Sequence, residues 1–159
     1  MRTKVFDRRA FLLKSSLAAV ALMTDTALGL QSNPADSWSS DDLLAPAELV
    51  RMLSVSGAPP QIICVTFPFL YRQKHIPHAA LAGPTNKQKG LDALRRVTNS
   101  FNKKSEIILY CGCCPMTSCP NIRPAYRELK DRSFTMLRVL NLPTNFHTDW
   151  VAKGYPLET

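Results

Sequence analysis

Four of the chain's five cysteines crowd into nine residues, as Cys111-x-Cys113-Cys114-x4-Cys119, while Cys64 stands alone in an apolar run. Three chemistries suit such a cluster. Cys111 directly follows an apolar run, and a helix-like segment starts after Cys119. A thiolate there would face free backbone amides, which stabilise the anion and make it a nucleophile for sulfane sulfur. Alternatively, Cys111, Cys113, Cys114 and Cys119 are soft ligands that could clip Cu or Zn, with His75, His78 or His147 adding a ligand. The spacing is not the paired Cys-x2-Cys of zinc ribbons. A disulfide from Cys111 or Cys113 to Cys119 is the third possibility, suited to an oxidising compartment. For Cys64 the expected role is that of a small buried hydrophobe.

The elements that must position this loop follow from periodicity. Ile62-Ile63-Cys64-Val65, Glu106 to Tyr110 and Met136 to Leu142 read as buried strands. Helices are predicted between them. Pro46 to Ser54 carries Leu49, Met52 and Leu53 at helical spacing, and Leu91, Leu94, Val97 and Phe101 repeat the pattern. After the loop, Ile122, Ala125, Tyr126 and Leu129 share a face, with Asn121 as the expected N-cap. Phe146 and Trp150 lie four apart on a last helix ended by Gly154 and Pro156. Strands alternating with helices predict an α/β domain with a central parallel sheet covered on both faces. Ligands in such sheets bind just past the carboxyl ends of strands, where Cys111 falls.

Residues 1 to 29 read as a signal peptide: a basic start, an apolar run from Ser15 to Met23, and small residues at Ala27-Leu28-Gly29. The apolar run is shorter than the roughly 20 residues a membrane-spanning helix needs, so no stable membrane span is expected. Asp7-Arg8-Arg9-Ala10-Phe11-Leu12-Leu13-Lys14 resembles a twin-arginine export signal, which implies a periplasmic or otherwise exported protein. Residues 30 to 40 are polar and read as a flexible leader, leaving 41 to 159 as one domain. Of 20 basic and 12 acidic residues in the chain, 15 and 10 follow Gly29, a net +5. This surplus lacks the interleaved aromatics of a single-strand nucleic-acid groove, so nucleic acid is not an expected partner. It would instead favour small anions.

Three segments in order resemble the rhodanese (sulfurtransferase) family. Lys74-His75-Ile76-Pro77-His78-Ala79-Ala80 resembles its Gly-His-Ile-Pro-Gly-Ala segment, and Tyr110-Cys111 resembles the Tyr-Cys that opens its active loop. Trp150 to Glu158 resembles its closing segment. The resemblance covers about residues 42 to 158. It implies a rhodanese-like single domain in which Cys111 carries sulfane sulfur as a persulfide, with no cofactor. The donor would be a small sulfur-containing anion and the acceptor a thiol or cyanide. On the same basis Cys113, Cys114 and Cys119 become relay or resolving thiols, and Gly112, Thr117, Ser118 and Arg123 the anion-binding residues. His75 and His78 are expected to shape their loop. The family's Asp-x-Arg after the second strand is missing, and Thr117 stands where related phosphatases need the arginine of Cys-x5-Arg, which disfavours phosphatase chemistry. The rival expectation is a non-catalytic metal or thiol-redox module on the same fold.

Overall fold

Short aliphatic runs form the sheet because β-branched and leucine side chains pack well on a pleated surface buried on both sides. The computed structural model describes residues 37–55, 57 and 59–159, all within the compact unit Asp36–Thr159. The expected signal segment, 1–29, lies outside the described residues. Five strands, β1 (Leu43–Leu44), β2 (Gln61–Cys64), β3 (Ala80–Leu81), β4 (Ile107–Tyr110) and β5 (Leu137–Leu140), pair in the order β1-β5-β4-β2-β3. Every pairing is parallel, and β4 occupies the centre, with Ile63 opposite Leu109 and Cys64 opposite Tyr110.

Helices cover both faces, as the strand pattern predicts. Ile63, Leu109, Leu137 and Val139 point to one face, where α3 (Gln88–Val97) and α4 (Ile122–Asp131) bring Leu94, Ile122, Ala125 and Leu129. Ile62, Cys64, Ile108, Tyr110 and Leu140 point to the other, beneath Leu49 of α1 (Pro46–Ser54) and Phe146 of α5 (Phe146–Asp149). Each fully buried aliphatic side chain contributes roughly 1.5–3 kcal/mol relative to exposure.

Three elements escaped the sequence pattern: β1 and β3, each only two residues long, and α2 (Pro68–Gln73), whose exposed Phe69 disguises any amphipathic face. The third expected strand is shorter than 136–142, since Met136 is half exposed and only Leu137–Leu140 pairs. Trp38, inside the segment read as a leader, packs edge-on against Tyr126 of α4 at 5.1 Å.

The closing segment is tied down by Trp150, which is 0% exposed and whose Nε1 donates to the Pro156 carbonyl at 2.8 Å. Gly154 allows the turn between them with φ of 69°. His75 and Glu158 then exchange two backbone hydrogen bonds of 2.9 Å, and the His75 ring stacks on Tyr71 at 3.9 Å. His78 holds a left-handed φ of 62°, at the place where the resembling segment has its second glycine. Both histidines shape this junction.

Candidate functional site

Tyr110 ends β4 with its ring on the α1/α5 face against Phe146, and its hydroxyl accepts the Ile76 amide at 3.2 Å. Alternation then sends Cys111 to the opposite face, among the residues beneath α3 and α4. The loop folds back on itself. Met116 is buried and its amide donates to the Leu142 carbonyl at 3.0 Å, starting a short 3-10 turn, Met116–Ser118, which delivers Cys119 toward Cys111.

This fold-back brings all four expected cysteines together, their sulfurs within 4.8 Å of one another. Cys111 Sγ lies 3.1 Å from Cys113 Sγ, which lies 3.1 Å from Cys114 Sγ. All five cysteines are free thiols. Asn121 completes the nest. Its Nδ2 donates to Cys111 Sγ at 3.7 Å and its Oδ1 accepts the Asn86 amide at 3.3 Å. Its own carbonyl accepts from Thr85 Oγ1 at 2.5 Å, which fixes where α4 begins. Expected as an N-cap, Asn121 occupies that position but makes no side-chain cap bond to the helix, because Asn86 and Cys111 engage the amide instead.

These donors converge on one sulfur. The Cys119 thiol, then the Cys113 amide and thiol and the Asn121 amide, lower the Cys111 thiol from its ordinary value to about 5 against an opposing effect of burial. Cys119 is pushed up because it donates to Cys111, and burial pushes Cys113 up. One negative charge is therefore shared by the group and centred on Cys111. Cys64 behaves as expected of a buried thiol, pushed up to about 12 by desolvation.

Cys111 stands at the central strand end, as its sequence position implied, but it is only 4% exposed, as is Cys119. Solvent reaches the cluster through the half-buried Cys113 and Cys114. The other expected site residues lie around the loop. Gly112 is half-buried, and a Cβ there would meet Phe146 at 3.4 Å. Thr117 and Ser118 are exposed on the 3-10 turn, with Ser118 Oγ donating to the Pro115 carbonyl at 3.4 Å. The Arg123 guanidinium lies 4.2 Å over the Trp38 ring. Among the described residues, the only group of three or more side chains placed to hold a metal is Cys111, Cys113, Cys114 and Cys119, and no histidine joins it.

A cavity of about 300 Å³ lies alongside, lined by Tyr110, Gly112, Phe146, Thr66, Lys74 and His147 among others. Thr66, 2% exposed, keeps its hydroxyl there without a partner among the described residues. Neither Thr66 nor the Asn121 amide was legible beforehand. Both depend on which strand end meets which loop.

No known protein-family profile matches the sequence, and no curated protein matches it. Solved structures do. The rhodanese-like domain of the Alr3790 protein from Anabaena sp. superposes with a TM-score of 0.54 at 20% identity, over 74% of this chain and 78% of that one. The BH2092 protein from Bacillus halodurans gives 0.56 at 19% identity, over 74% and 77%. A rhodanese-like domain protein from Staphylococcus aureus gives 0.50 at 20% identity, over 74% and 99%. At these identities the likeness concerns the fold, and with the five-stranded parallel sheet it establishes that this chain has the rhodanese-like α/β fold.

Proposed function

We propose that the protein is a sulfurtransferase that carries sulfane sulfur on Cys111. The observation that carries this proposal is the convergence of three donors, Cys119, Cys113 and Asn121, on one sulfur at the end of the central strand. The Cys111 thiolate attacks the outer sulfur of a small sulfur-containing anion. The donor's S–S bond breaks, its electron pair leaves with the remaining fragment, and a Cys111 persulfide holds the charge. The groups that stabilised the thiolate now stabilise the persulfide. A thiolate or cyanide then attacks the outer sulfur, and Cys111 departs as the thiolate. No net oxidation occurs.

Because Cys111 is nearly covered, we assign the hand-over to Cys113, 3.1 Å away and half-buried. Its sulfur attacks the outer persulfide sulfur, Cys111 leaves as thiolate, and the Cys113 proton ends on the transferred sulfur. The twin-arginine resemblance of residues 1 to 29 supports export, which fractionation of the expressed chain tests. For the chemistry, the purified protein is exposed to a sulfane-sulfur anion and its intact mass is read, followed by cyanide. A gain of one sulfur that cyanide removes is expected. A folded Cys111→Ser protein that still gains and releases sulfur at the original rate would sink the assignment.

A further inference from the structure

We propose that Cys111, Cys113, Cys114 and Cys119 also form a mononuclear four-thiolate site for one thiophilic d10 cation, Zn(II) or Cu(I). The argument rests on where the sulfurs lie. A tetrahedral centre with Zn–S bonds of about 2.3 Å sets its sulfurs about 3.8 Å apart. Here the separations run from 3.1 Å for the adjacent pairs to no more than 4.8 Å across the group, so modest rotamer changes open the cluster to one ion. An iron–sulfur cluster, with sulfides bridging several irons, needs its cysteine sulfurs farther apart than this.

The surroundings complete a coordination site. Ligand thiolates are held by amide donors that orient them and disperse their charge. The Cys113 amide and the Asn121 side chain donate to Cys111, and the Asn121 and Ile122 amides donate to Cys119. Both buried sulfurs therefore have such donors, while half-buried Cys113 and Cys114 give an ion its way in. An all-sulfur ligand set disfavours hard cations such as Mg(II) and Ca(II). The thiols that join the Cys111 thiolate give up their protons to the buffer, so uptake releases protons and strengthens as pH rises.

The test titrates the reduced, persulfide-free full chain with Zn(II), and anaerobically with Cu(I). It reads native mass, the sulfur-to-metal charge-transfer absorption and the number of thiols open to alkylation. Saturation at one ion per chain is expected, with all four cluster thiols protected from alkylation in addition to Cys64, which burial already protects; the arm in which a single ion shields all four sulfurs names the ion. Cys119→Ser and Cys114→Ser should each weaken binding at least about 100-fold, and Asn121→Ala about 10- to 100-fold. Cys64→Ala should keep the stoichiometry. Failure to saturate at one ion, or folded Cys119→Ser and Cys114→Ser proteins that bind as tightly as the parent, overturns the metal site. Persulfide formation on metal-free protein is scored separately, so either proposal can fail while the other stands.

Discussion

The side-chain amide of Asn121 bridges the start of α4 to the end of β4, donating to Cys111 Sγ at 3.7 Å while its Oδ1 accepts the Asn86 amide at 3.3 Å. Removing it leaves the partly buried Asn86 amide and the buried Cys111 thiolate each short of a partner. Asn121→Ala should cost about 1–3 kcal/mol of stability. It should also raise the Cys111 ionisation midpoint, because one donor to the anion is gone. Chemical denaturation and an ultraviolet thiolate titration measure the two effects. A variant with unchanged midpoint would show that the thiols and the Cys113 amide suffice without Asn121.

Cys113 should matter for delivery rather than for loading. In Cys113→Ser the Cys111 persulfide should still form, while transfer to a bulky acceptor thiol falls more steeply than transfer to cyanide, which is small enough to enter the nest. Comparing the two acceptors separates the steps. Equal losses with both acceptors would assign Cys113 to stabilising Cys111 rather than to relaying sulfur.

The contrast between Cys111 and Asn121 shows what the sequence made legible. Cys111 could be placed at a strand end because Ile107 to Leu109 is an apolar run that a buried parallel strand explains, and the three long strands and the helices Pro46–Ser54 and Ile122–Asp131 followed from the same periodicities. Asn121 looked like a helix cap because asparagine before an apolar helix usually is one. Its tertiary use by Asn86 and Cys111 overrode that local preference, and nothing within a few residues announces it. The burial of Cys111 has a similar cause: the turn at Met116 folds the loop over it, and that turn depends on the distant Leu142 carbonyl. The two-residue strands β1 and β3 are too short to carry a pattern at all.

His78 holds a φ of 62° with an exposed side chain. The left-handed region costs a residue with a Cβ about 1–2 kcal/mol, a penalty glycine escapes at some cost in unfolded-state entropy. His78→Gly should therefore stabilise the domain by about 0.5–1 kcal/mol and raise Tm by a few degrees, roughly 2–6 °C. The amide of residue 78 would keep its 3.2 Å bond to Glu158 Oε2. Calorimetry on both proteins checks the sign, and a lower Tm would mean that the imidazole itself anchors the junction.

The clearest pH signature belongs to the shared charge. Donation from Cys119, Cys113 and Asn121 brings the Cys111 thiol down to about 5, whereas Cys64 is raised to about 12 and Cys113 and Cys119 are raised as well. The lowered pKa favours the ionised form in the folded state, so thiolate should appear as pH rises through about 5 and persist to neutrality, far below the ordinary thiol value of 9.0. Ultraviolet absorption should show one thiolate per chain forming in that acid range. Sulfur loading at limiting donor should follow the same curve, lost as pH falls through it and flat above. Cys111→Ser should erase the acid step: losing the anion relieves part of the upward push on Cys119 and Cys113, but burial still opposes their ionisation and nothing draws either down into the acid range. A Cys111→Ser protein that keeps the step would move the charge to another sulfur of the cluster, and with it the identity of the nucleophile.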